Sequence, residues 1–137
     1  HITENGLDTK AGIKDLLVWL GENGYKRAVA TATDLERAGK YLKDVGLYEY
    51  FDCIISAHQV KNGKPKPDVY LYAVEQLGLT PDECIAVEDS PNGVISASDA
   101  GCKTIMVPDL TQPDEELRKR IFAVCETAKD IIGVLFQ

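Results

Sequence analysis

Apolar residues recur along this chain in two alternating rhythms. Ile13, Leu16, Leu17 and Leu20 fall at i, i+3, i+4 and i+7, which predicts a helix over 11–22 with one buried face and Trp19 packing at its flank. Asn23-Gly24 suits its end, because both residues tolerate the left-handed conformation. "RAVAT" (27–31) then reads as a short buried strand. Asp34 suits the N-cap of a second helix that carries Leu35, Ala38, Leu42 and Val45 and closes at Gly46. "CIIS" (53–56) is the next strand. Pro67 fits the first turn of a third helix with Val69, Tyr70, Ala73 and Leu77 inward and Gly78 at its end. "CIAVE" (84–88), a helix over 92–100 closed by Gly101, and "TIMV" (104–107) continue the alternation. A polar stretch with Pro108 and Pro113 leads to a last helical region bearing Leu117, Ile121, Val124, Ile131, Ile132 and Leu135.

Single helices alternating with short strands predict β-α-β units, hence an α/β fold with a parallel sheet between two helical layers. The 137 residues suffice for one domain spanning 1–137 with a hydrophobic core. Composition agrees: 45% hydrophobic and 27% charged is globular. The net charge of −7 disfavours a general nucleic-acid binder or adhesion to an anionic membrane. No apolar run approaches a membrane span, and the N-terminus does not resemble a signal peptide. Each of Asn5, Asn23, Asn62 and Asn92 precedes Gly, so there is no N-glycosylation sequon. Cys53, Cys84, Cys102 and Cys125 are scattered without C-x-x-C spacing, which favours reduced thiols over a disulfide framework or zinc site. Together these features read as cytoplasmic.

In open parallel sheets, ligands bind beyond the carboxyl ends of the strands, and those ends are polar here. Glu88-Asp89 closes the third strand. Such a pair can ligate Mg²⁺, or can be a solvated strand end beside a helix cap supplied by Asp89 or Ser90. Lys64, set between Gly63 and Pro65, could present its ammonium to a phosphate, or lie in a solvated basic turn as Lys61 and Lys66 do. Thr31 ends the first strand, where its hydroxyl and the backbone amides that follow, from Ala32 on, could bind phosphate oxygens; an ordinary strand residue is the other reading. His58 and Tyr25 have no partner at a telling spacing. Neither a hydrolase triad nor a Gly-rich phosphate loop is present.

Taken in order, a hydroxyl ending one strand, a Pro-framed Lys and an acidic pair ending a later strand resemble motifs II, III and IV of the haloacid dehalogenase-like superfamily. "GKPKPDVY" (63–70) and "VEDSPNGVISASDAG" (87–101) are similar to segments of its β-phosphoglucomutase and phosphoglycolate phosphatase-like subgroup. The resemblance implies a Rossmann-like three-layer α/β/α core and a small phosphorylated substrate such as a sugar phosphate. An Asp nucleophile would form an aspartyl-phosphate, and a second Asp two residues on would act as acid and base. By the same resemblance Thr31 and Ala32 bind the phosphoryl group, Lys64 neutralises charge beside the nucleophile, and Glu88 and Asp89 hold Mg²⁺ with Ser90 in support.

The family's first motif, Asp-x-Asp-Gly, is absent. Asp15, Asp34, Asp52 and Asp68 have the wrong context, and "HITENGLDTKAG" (1–12) resembles the exit from a cap domain. The chain is therefore expected to be a C-terminal core portion, inactive alone, whose sheet lacks the first, central strand. Without it, the Thr31 and Glu88 strands are expected to pair directly, or to recruit a strand from another chain by exchange or dimerisation. A phosphosugar mutase is a neighbouring possibility, although Thr31-Ala32-Thr33-Asp34-Leu35 departs from the mutase pattern. A non-catalytic phosphate- or partner-binding domain is another.

Overall fold

The computed structural model describes residues 13–107, 112–126 and 128–135, with the side chains of 128, 129 and 132 left aside. The expectations placed on residues 1–12, Pro108 and the Ile132 side chain lie outside the described residues.

Helix α1 (Ile13–Glu22) buries Ile13, Leu16, Leu17 and Leu20, the face set by its spacing. Asn23 ends it by donating from Nδ2 to the Trp19 carbonyl at 2.8 Å, and Gly24 follows at φ 80°. Strand β1 (Ala28–Thr31) is buried along its whole length. Helix α2 (Leu35–Asp44) starts where the Asp34 carboxylate accepts from Arg37 N at 2.9 Å. Of the apolar residues it carries, Ala38 and Leu42 are buried, whereas Leu35 and Val45 are about 40% exposed. Leu35, in the first turn, overlooks an open cleft beside Gly39 and Tyr48, and Val45 already lies beyond the last turn.

Strand β2 (Cys53–Ser56), helix α3 (Asp68–Leu77), strand β3 (Ile85–Glu88), helix α4 (Pro91–Ala100) and strand β4 (Lys103–Met106) follow the expected order. After them the structure corrects the sequence reading. In place of one helical region, a short helix α5 (Glu115–Arg118), a strand β5 (Ala123–Val124) and helix α6 (Ala128–Leu135) appear. The apolar run at 121–125 satisfies helix and strand spacing equally, as short runs do. Backbone pairing decides it: Phe122 N donates to Thr104 O at 2.7 Å and Cys125 N to Met106 O at 2.8 Å, adding a parallel strand beside β4.

All pairings are parallel, β1 with β2 in one sheet and β3-β4-β5 in a second. Alternating side chains tie both sheets into one layer. Val29 and Val87 join a cluster with Leu16, Leu20, Leu42 and Ile131, whereas Ala30 and Ala86 join another with Val69, Tyr70, Ala73 and Ala97. So α1, α2 and α6 cover one face, α3 and α4 the other, giving the three-layer α/β/α arrangement. Right-handed crossovers fix the lateral order. The β1-to-β2 connection runs over the first face and the β2-to-β3 connection over the second, so the chain reverses and β3 lies beyond β1. The layer reads β2-β1-β3-β4-β5, with the sheet interrupted between β1 and β3. The expected direct pairing of these two strands is not what the described residues show: each keeps its outer partner, and the inner edges do not join.

Free thiols at Cys84, Cys102 and Cys125 are buried and Cys53 is half-buried. Burial raises all four, and the neighbouring Cys84 adds to pushing Cys102 up to about 11. Thiolate is the reactive form. At pH 8 iodoacetamide is therefore expected to label the native chain slowly, Cys53 first and Cys102 last, and all positions rapidly in guanidinium; mass spectrometry reads the order.

Candidate active site

The carboxyl edge of the sheet collects the residues singled out by sequence. Thr31 closes β1, and its Oγ1 accepts from Thr33 N at 3.1 Å, a local turn that holds the hydroxyl at the strand end; Ala32 is exposed beside it. Beyond β2, Ser56 caps a single 3₁₀ turn and the chain enters the Lys64 loop. That loop is tied down at both ends. Asp68 accepts from Asn62 N at 3.2 Å and from Asn62 Nδ2 at 3.3 Å, and Ser96 of α4 donates from Oγ to Lys66 O at 2.6 Å. The Lys64–Pro65 peptide is cis.

So held, Lys64 donates from Nζ to Glu88 Oε2 at 2.5 Å, and its ammonium lies 5.3 Å from the centre of the Tyr70 ring. The Tyr70 hydroxyl donates to the same carboxylate oxygen. Glu88 is 2% exposed and Tyr70 fully buried, so this is a desolvated ion pair braced by a neutral donor. Burial pushes the Glu88 carboxyl above its ordinary range; the Lys64 charge and the bonds from Lys64 and Tyr70 pull against it, and Asp89 adds to the rise. The fourth wall is Gly93, on the first turn of α4. A Cβ there would overlap Glu88 Oε1, so only glycine leaves room for the carboxylate. Ser90 is the N-cap of α4, accepting from Gly93 N at 3.2 Å, which is the helix-start reading of that residue.

Sequence reading found Lys64 and Glu88 but not their bond, and it missed Tyr70 and Gly93. A buried Tyr hydroxyl needs a partner, so Tyr70 on an inward helical face was a usable signal; for Gly93 there was none beyond its turn-like dipeptide. Lys61 and His58 are exposed, and Tyr25 stacks on Trp19 with centroids 6.0 Å apart.

As a Mg²⁺ site this set is incomplete. Two donors already crowd Glu88 Oε2, and among the described residues no group of three or more His, Cys, Asp or Glu comes together. Glu88 and Asp89 alone do not fit the ion, which prefers octahedral oxygen coordination.

A parallel α/β layer with a lysine and a glutamate meeting at its carboxyl edge defines a Rossmann-like core. The haloacid dehalogenase-like hydrolase family model matches residues 1–107, and the chain belongs to that family, in its β-phosphoglucomutase and phosphoglycolate phosphatase-like subgroup. Hexitol phosphatase A of Escherichia coli (strain K12) is 39% identical over 102 residues, covering 74% of this chain and 47% of that protein. Phosphorylated carbohydrates phosphatase of Thermotoga maritima is 36% identical over 99 residues, covering 72% and 46%. A crystal structure from Thermotoga maritima, provisionally named a β-phosphoglucomutase, superposes with a TM-score of 0.82 at 31% identity, covering 91% of this chain and 58% of that one. The chain thus spans about half the length of the curated relatives it matches. Among the described residues no helix is long and apolar enough to cross a membrane.

Proposed function

We propose that this chain supplies the phosphate-handling half of a phosphatase acting on small phosphorylated metabolites, sugar phosphates foremost. The observation that carries the reading is the delivery of Lys64 to the carboxyl edge of β3, where Glu88 fixes it. Two relatives named as carbohydrate or hexitol phosphatases support the substrate class. In this reading the Thr31 hydroxyl, oriented by Thr33 N, and the exposed backbone after it receive phosphoryl oxygens. Lys64 places one positive charge beside them, and Glu88 keeps that charge from swinging into solvent. Catalysis by such groups is positioning and charge stabilisation.

The acceptor of the phosphoryl group, an Asp in Asp-x-Asp-Gly context, is not in this sequence. Mg²⁺ is the cofactor the family resemblance implies for a longer protein; Glu88 and Asp89 do not by themselves complete its site. Accordingly the 137-residue chain with p-nitrophenyl phosphate and Mg²⁺ is expected to give no turnover above the protein-free blank. Robust turnover proportional to protein would overturn that assignment. The engagement of the Glu88 carboxylate by Lys64 favours one second reading for the chain by itself, a non-catalytic phosphate- or partner-binding domain. Binding of inorganic phosphate that shifts the Thr31 and Lys64 resonances without hydrolysis would distinguish it.

A further inference from the structure

A serine inside a helix ordinarily points to solvent or turns back to the carbonyl one turn earlier. Ser96, in the middle of α4, does neither. It is fully buried and donates from Oγ to Lys66 O at 2.6 Å, across thirty residues of sequence. Alanine would suit both the burial and the helix better, since serine has the lower helix propensity and brings a hydroxyl that must find a partner. The bond is therefore explained by what it holds.

What it holds is the turn that carries Lys64. Lys66 N donates to Gly63 O at 3.0 Å, which closes residues 63–66 into a four-residue turn with Lys64 and Pro65 at its tip. The Ser96 hydroxyl holds the last carbonyl of that turn. Because the turn is closed, fixing its end fixes the direction in which the Lys64 stem leaves it. The same side of α4 also sets the other half of the ion pair. Gly93 and Ser96 are three residues apart, hence neighbours on one helical face. Gly93 gives the Glu88 carboxylate its room, and Ser96 anchors the turn from which the ammonium is sent. One rigid element thus places both charges.

We infer that Ser96 is a positioning residue for Lys64: its hydroxyl, through the Lys66 carbonyl, aims the ammonium at the carboxyl edge of β3 without touching either the ammonium or a bound phosphate. This rests on the reading of Lys64 as the cation of the phosphate site. The loop has a second tie, from the exposed Asn62 to Asp68, but that one lies before the turn and leaves the Lys66 carbonyl untouched. The two ties therefore have different consequences. Loss of the Ser96 hydroxyl frees the turn and with it the cation, whereas loss of the Asn62 side chain does not.

The test is NMR on the intact chain. Lys64 Nζ lies 5.3 Å from the centre of the Tyr70 ring, so the Lys64 Hε protons are expected upfield of those of the exposed Lys61 and as two separate signals. In Ser96→Ala both features are expected to disappear while the circular dichroism and the α4 amide signals persist; in Asn62→Ala both are expected to remain. In the parent chain the heteronuclear NOE of residues 63–66 is expected to equal that of α4. Titration with inorganic phosphate is expected to give a Kd about threefold to tenfold higher for Ser96→Ala than for the parent, the loss of one hydrogen bond's worth of placement. Lys64 signals unchanged by Ser96→Ala, or a parent turn as mobile as an exposed loop, overturn the inference, and the parent measurement decides it even where Ser96→Ala loses its fold. Equal phosphate affinity with displaced Lys64 signals overturns it too, because placement would not matter to the site. If neither chain binds phosphate, the phosphate reading fails on its own and the Lys64 signals still decide the role of Ser96.

Discussion

Gly93→Ala is expected to lower the melting temperature by about 5–15 °C, a loss of about 2–4 kcal/mol. Helix propensity alone predicts the opposite sign, since alanine gains about 1 kcal/mol over glycine inside a helix. The difference comes from Glu88. A methyl group at 93 would overlap Oε1 of a carboxylate that is 2% exposed and bound to Lys64 and Tyr70. The carboxylate cannot retreat into solvent without leaving the lysine, and it cannot stay without overlapping the methyl. The decisive measurement is the double-mutant cycle. In a Glu88→Ala background the space is vacant, and Gly93→Ala is expected to become neutral or stabilising by thermal and urea unfolding. If the alanine costs the same with and without Glu88, the overlap is not its cause.

Removing the cation is expected to be more damaging still. Lys64→Met keeps the length of the side chain and leaves Glu88 buried without its counter-charge, at a cost of about 3–5 kcal/mol at neutral pH. The loss depends on pH in a definite direction. Burial already holds the Glu88 carboxyl above its ordinary value of 4.5, and Lys64 supplies the largest opposing pull. Without Lys64 the folded-state value rises further, so the fold favours the protonated acid. Stability is then fully present below the ordinary carboxylate value and is lost as pH rises through the raised folded value. Urea unfolding of Lys64→Met is therefore expected to approach the parent chain near pH 4.5 and to fall furthest behind it at pH 7.5. Adding Glu88→Gln to Lys64→Met is expected to recover most of the deficit at pH 7.5. A deficit that is flat with pH would mean that Lys64 stabilises by packing its stem and not by charge.

These two residues also show where the sequence was readable. Elements with a long period and a stop signal, such as 13–22 before Asn23-Gly24 and 68–77 before Gly78, form where the spacing puts them. The family resemblance rested on contiguous segments, and both ends of the Lys64–Glu88 pair lie in them. What sequence could not deliver was a relation between segments. The bond from Lys64 to Glu88, the clearance at Gly93 and the hydroxyl of Tyr70 exist only once α3 and α4 are packed side by side on one face. Strand β5 was hidden for a different reason, because two paired residues carry too little pattern to separate strand from helix. The outward Leu35 and Val45 follow from helix ends, where periodicity says which way a side chain points but not whether anything is there to meet it.

The interruption of the sheet has a consequence for how the chain folds. Every ladder among the described residues joins strands that are consecutive in sequence: β1 with β2, β3 with β4, β4 with β5. Each can close as soon as its own intervening helix has formed, without waiting for a distant segment. Strand pairings of this kind keep the contact order low and favour rapid collapse of two sequence-local units. Helix α3, whose Tyr70 packs in the cluster containing Ala30 of one unit and Ala86 of the other, is then the splice between them.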